Sequence, residues 1–161
     1  MPIPRFWGGQ LTAADMLAGS LTGAALSPNQ SVRRQSSTIG TIAATGSGEI
    51  LIRAPVTGAI ATVSLVANNA LAASDTNFLT FTSINKGTGA GSTAILTAVP
   101  TNTTKATGGQ AIVAYTPVAF ALGATLAVTG GDVLTFSWSA TGTLANTVTG
   151  VTVIFVFTST T

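Results

Sequence analysis

Val133-Leu134-Thr135-Phe136-Ser137-Trp138-Ser139 carries the reading of the fold. From Leu134 onward the side chains alternate strictly, apolar at 134, 136 and 138 and hydroxyl at 135, 137 and 139. Successive side chains of an extended backbone point to opposite faces, so this period of two predicts a strand with one face in a core and one in water. The same pattern recurs upstream. In 59–66, Ala61, Val63 and Leu65 share one face, while Thr62 and Ser64 take the other; Leu79 and Phe81 alternate with Thr80 and Thr82. Threonine suits the outer positions because its branched Cβ favours extended backbone.

Turn-forming residues separate these runs: Gly46-Ser47-Gly48, Pro55 to Gly58, Asn68-Asn69, Asn85-Lys86-Gly87, Pro100 to Gly109, Thr116-Pro117, Gly130-Gly131-Asp132 and Thr141-Gly142. Strands are predicted near 39–44, 50–54, 59–66, 78–84, 94–99, 112–122 (one strand or two), 126–128, 133–139 and 148–157. These nine runs come to about the eight strands of a jelly roll. The expected fold is therefore all-β, a jelly-roll-like antiparallel β-sandwich over residues 39–161. Before it, residues 1–38 read as an extended N-terminal arm with Pro2, Pro4, Gly8 and Gly9. Thr12-Ala13-Ala14-Asp15 with Leu17 and Leu21 is compatible with a short helix over 12–21.

The last segment departs from the alternation. Val151, Val153, Phe155 and Phe157 form one apolar face, and Ile154 and Val156 add to the other. A strand apolar on both faces is covered on both. A neighbouring subunit, the arm, or a central place in the core each supplies that cover, and these six residues are the candidate subunit interface.

Composition narrows the function. Only ten of 161 residues are charged, His and Cys are absent, 46% are hydrophobic and 29 are Thr. An ordinary soluble domain carries about 25% charged residues. Low charge with high strand propensity is an aggregation hazard for an isolated chain, which favours ordered assembly with copies or a partner. Without His there is no Ser-His-Asp triad and no imidazole metal ligand, and without Cys no disulfide scaffold or thiolate site. Asp15, Glu49, Asp75 and Asp132 are far apart in sequence and read as turn and loop acids. A jelly-roll enzyme is thus the weakest reading, and no cofactor or metal is expected. Gly87-Thr88-Gly89-Ala90-Gly91-Ser92-Thr93 lacks the Gly-Lys-Ser/Thr ending of a phosphate loop. Asp75-Thr76-Asn77-Phe78 reads as a turn leading into a strand, and Asn102-Thr103-Thr104 matches a glycosylation sequon. No apolar run approaches the roughly 20 residues of a membrane span, and with no cationic segment followed by an apolar run at the N-terminus, no Sec-type signal is expected.

The net charge of +2 lies entirely in the first 38 residues, which hold Arg5, Arg33 and Arg34 against Asp15. Three scattered arginines make a poor nucleic-acid footprint but suit an acidic protein surface. Arg5, Phe6, Trp7, Arg33 and Arg34 are the candidate gripping residues of the arm, Arg and Trp being frequent anchors of interfaces.

Several segments carry a family likeness: Ala54-Pro55-Val56-Thr57-Gly58-Ala59-Ile60, Ala70-Leu71-Ala72-Ala73-Ser74-Asp75-Thr76-Asn77-Phe78, Asn85-Lys86-Gly87, and Thr129-Gly130-Gly131-Asp132-Val133-Leu134-Thr135. With them the chain resembles the head decoration (cement) and head-fibre proteins of tailed bacteriophages. The resemblance implies a non-enzymatic virion protein on the outer surface of an icosahedral capsid. It also implies a homotrimer whose arm clamps the major capsid protein. The alternative is a glycan- or receptor-binding head-fibre or tail adhesin module, for which Trp7, Tyr115 and Trp138 are the candidate aromatics.

Overall fold

The computed structural model describes residues 32–98 and 100–159. They form nine strands: β1 (Val32–Ile42), β2 (Ser47–Arg53), β3 (Gly58–Val66), β4 (Phe78–Gly87), β5 (Thr93–Ala94), β6 (Val118–Ala119), β7 (Ala127–Val128), β8 (Val133–Thr141) and β9 (Val148–Ser159). All pairings are antiparallel. The larger sheet runs β1-β9-β3-β6, with β7 also on β3; the smaller runs β2-β8-β4-β5.

These pairings amount to one long hairpin rolled up. β1 pairs with β9, β2 with β8, β3 with β6 and β7, and β4 with β5. Rolling the hairpin then lays β9 against β3 and β8 against β4. That is the jelly roll expected from the strand count, with β6 and β7 sharing the place of one strand.

Alternation places the core as the sequence predicts. Leu134 and Phe136 of β8, Leu79 and Phe81 of β4, and Ile52 of β2 are buried from the smaller sheet. Val63 and Leu65 of β3, with Val151, Val153, Phe155 and Phe157 of β9, meet them from the larger one. Phe136 is the hinge of an aromatic cluster. Its ring lies 5.8 Å from Phe81, 5.5 Å from Phe120 and 6.4 Å from Phe155, so it ties both sheets to the 120 loop.

Three departures have physical causes. First, β1 begins at Val32, within the region that composition groups with the arm. Val32-Arg33-Arg34-Gln35-Ser36-Ser37-Thr38 has no apolar alternation, and it is a strand because β9 offers it a ladder from Thr158 to Thr152. Second, the runs 94–99 and 112–122 contribute only two-residue strands, β5 and β6, and the single bridges Leu96↔Leu122 and Leu71↔Ile112. This stretch passes from one sheet to the other: Ile95 N–H donates to Ser83 of β4, and Phe120 N–H donates to Val63 of β3. Its apolar residues are anchors in the core and not one continuous ladder. Third, β9 carries a bulge at Gly150, opposite an irregularity at Gly40 of β1. Gly150 has φ +59°, and a Cβ there would run into the Asn68 side chain.

Candidate functional site

The outer face of the smaller sheet is built in rows across three strands. Register places Ser47, Ser139 and Thr80 side by side, then Glu49, Ser137 and Thr82, then Leu51, Thr135 and Ile84. The first two rows line a groove of about 470 Å³, with Gly48 and Trp138. Trp138 belongs to the inner-facing set, opposite Phe81, and its indole lies across Gly48, where a Cβ would collide with the ring. The third row is different. Thr135 is 2% exposed, and its hydroxyl has no hydrogen-bond partner, while Leu51 beside it is 65% exposed.

The groove is polar and carries one charged side chain. Ser137 Oγ donates to Glu49 Oε2 at 2.8 Å. The hydroxyls of Ser47, Thr80, Thr82 and Ser139 bond to nothing among the described residues. Some hydroxyls elsewhere serve the fold: Ser83 Oγ donates to Thr135 O at 2.6 Å, and Thr104 Oγ1 accepts from Leu79 N–H at 2.8 Å. The groove therefore presents an open lattice of groups that both donate and accept.

The remaining described acids lie elsewhere. Asp75 accepts from Thr107 N–H at 2.9 Å and from Thr107 Oγ1 at 3.0 Å. The Thr107 backbone bond first, then its hydroxyl, hold the Asp75 carboxyl below its ordinary value, with help from the charge of Lys105. Lys105 Nζ itself sits 4.9 Å from the centre of the Phe78 ring. The local turn before β4, expected from Asp75 and Asn77, is made by Ser74, whose Oγ accepts from the backbone N–H groups of Thr76 and Asn77. Asp132 is buried and closes the turn into β8, accepting from Thr129 N–H and Asn85 Nδ2. Asp75 precedes β4 and Asp132 precedes its antiparallel neighbour β8, so the two stand at opposite ends of the sandwich. No three of His, Cys, Asp or Glu among the described residues gather as a metal site.

Of the residues expected to act, Arg5, Phe6 and Trp7, with the helix expected over 12–21, lie outside the described residues. Arg33 and Arg34 are exposed on β1, Arg34 opposite Val156 on the outer face of the larger sheet. The expected subunit interface divides. Val151, Val153, Phe155 and Phe157 are 0% exposed in the core of the single chain. β9 lies between β1 and β3, so a central place accounts for their burial without a partner. Ile154 and Val156 point to the outer face and are half-buried.

Asn102 is not an accessible sequon. It is 1% exposed, as are Thr103 and Thr104. Asn102 Nδ2 donates to the carbonyls of Thr97 and Ala121, each at 2.9 Å, and its Oδ1 accepts from Ala121 N–H at 2.8 Å. A glycan on that nitrogen is incompatible with this fold. Tyr115 is 75% exposed at the tip of the 113–116 turn, with φ +58°, away from the groove.

Sequence reasoning passed over the groove because it sees Thr80, Thr82, Ser137 and Ser139 only as outward positions. The available signal was the coincidence of Thr-x-Thr and Ser-x-Ser on two strands that pair in register. Compared with protein-family models, curated proteins and solved structures, the chain finds no match in any of the three.

Proposed function

We propose that this chain is a non-enzymatic structural virion protein that decorates and cements an icosahedral phage capsid as a homotrimer. In this reading residues 1–31, with Arg33 and Arg34, grip the major capsid protein. The observation that carries the reading is the union of a jelly roll almost free of charge with a basic entry strand. β1 is an edge strand of the larger sheet, and its exposed Arg33 and Arg34 follow directly on residues 1–31. Cementing needs area, shape and repeated attachment across a capsid, and no reactive group. An acidic capsid surface complements the arginines and speeds docking.

The test is an inventory of purified virions by mass spectrometry, joined to a truncation. The chain is expected at a copy number comparable to that of the major capsid protein. A chain cut before Val32 should keep its strand signal in circular dichroism and lose attachment to capsids. Absence from virions, or undiminished attachment of the truncated chain, overturns the reading. The adhesin alternative draws on a separate observation, the hydroxyl groove.

A further inference from the structure

We infer that the groove on the outer face of β2, β8 and β4 is a binding site for a neutral saccharide. This inference does not rest on capsid attachment. It rests on the rows Ser47–Ser139–Thr80 and Glu49–Ser137–Thr82.

Neighbouring strands lie about 4.8 Å apart and same-face residues about 6.8 Å apart along a strand, so adjacent hydroxyls of the lattice fall within reach of a single sugar ring. Sugar hydroxyls donate and accept at once, and so do serine and threonine. Four of the groove's hydroxyls make no hydrogen bond among the described residues, so a ligand need not break protein bonds to use them. Glu49 is the oriented member. One carboxylate oxygen is held by Ser137, and the other has no partner among the described residues. A carboxylate accepting from a sugar hydroxyl makes a charge-assisted bond, the stronger kind. The volume falls within the range of small-molecule sites, about 300–1,000 Å³.

Charge sets the ligand class. Glu49 is the groove's one charged residue, and no Lys or Arg lines it. Uronic and sialic acids, like phosphate backbones, would bring a second negative charge beside an uncompensated carboxylate. A neutral glycan meets no such penalty.

The test is a titration of the full-length, ¹⁵N-labelled chain with neutral oligosaccharides: α- and β-glucans, galactans, mannans and N-acetylglucosamine oligomers, with an oligogalacturonate as the acidic control. At least one neutral series should give saturable amide shifts confined to residues 47–49, 80–82 and 137–139, with a Kd on the order of 1 mM, typical of a shallow site. Thr80→Val with Thr82→Val, and separately Glu49→Gln, should weaken that binding about tenfold at an unchanged thermal midpoint. No saturable shift with any neutral series overturns the inference. So does binding that survives these substitutions, or equal affinity for the acidic control. A failure here leaves the virion inventory untouched, and a negative inventory leaves the groove untouched.

Discussion

Replacing Asn102 by Ala should cost about 3 kcal/mol, although the residue sits in a loop and touches no ligand. Its amide joins two segments that pair only sparsely with the sheets. Removing it leaves Ala121 N–H without its acceptor and Thr97 C=O without its donor, whereas Ala121 C=O keeps Thr97 N–H at 3.0 Å. Each buried group left unpaired costs about 1–3 kcal/mol. Two such groups therefore give about 2–6 kcal/mol, and partial entry of water favours the lower half. For a domain of this size about 3 kcal/mol lowers the thermal midpoint by roughly 6–12 °C. Asn102→Asp sharpens the test. The carboxylate still accepts from Ala121 N–H, but it turns a negative charge toward the carbonyls of Thr97 and Ala121 at a site 1% exposed. Burial and these carbonyls raise the folded-state pKa of such a group above its unfolded value of about 3.9. The Asp variant should thus lose stability as pH rises from about 4 toward neutrality, because only its unfolded state ionises freely. Urea denaturation followed by circular dichroism at pH 4 and pH 7 measures both effects. Asn102→Ala within about 0.5 kcal/mol of the parent, or an Asp variant whose deficit does not grow with pH, would refute the argument.

Thr135→Val should stabilise the chain by about 1 kcal/mol in urea melts, since it replaces a buried hydroxyl without a partner by a methyl of similar size; a loss of stability would mean that this hydroxyl is bonded. Gly150→Ala should cost at least about 2 kcal/mol, because its left-handed φ and the Asn68 side chain both reject a Cβ. An unchanged thermal midpoint would contradict that geometry. Asp75→Asn should lower the midpoint slightly at neutral pH. The folded carboxyl lies below 3.8, its ordinary value, so its contribution is complete above that pH and disappears as the pH falls through the folded pKa. Parent and variant should therefore converge in acid, and a gap that widened there would reverse the sign of the Thr107 interaction.

Alternation made the sandwich legible. Leu79, Phe81, Leu134 and Phe136 face inward as their period requires, and Trp138 follows them. The pattern failed where burial is not set by alternation. Residues 32–38 are a strand because β9 pairs with them, a fact no local property of Arg33-Arg34-Gln35 records. The apolar residues of 94–99 and 112–122 have the pattern of strands, yet they anchor a crossing whose backbone partners alternate between sheets. The groove was illegible for a related reason. β4 and β8 each contribute an ordinary outward hydroxyl pair and β2 a serine and a glutamate, and only the register Thr82↔Ser137↔Glu49 turns them into a lattice around one carboxylate.

Threonine shows most directly why composition alone could not separate scaffold from site. Thr104 is buried and bonds Leu79 N–H, Thr135 is buried and bonds nothing, and Thr82 is exposed and bonds nothing. The three share a side chain and differ in what lies around it. Thr104 sits in the Asn102 loop itself, which runs beside β4 and bonds its backbone there. Beside Thr135 stand its register partners Leu51 and Ile84, whose side chains offer no hydrogen bond. Over Thr82 there is only the groove. A chain that replaces charge with hydroxyl on its outer faces avoids the desolvation that charged side chains would suffer on contact, because an uncharged hydroxyl is far cheaper to bury than an ion. The same substitution lets one face serve solvent, a packed neighbour or a polyhydroxylated ligand, and the local cover decides among them.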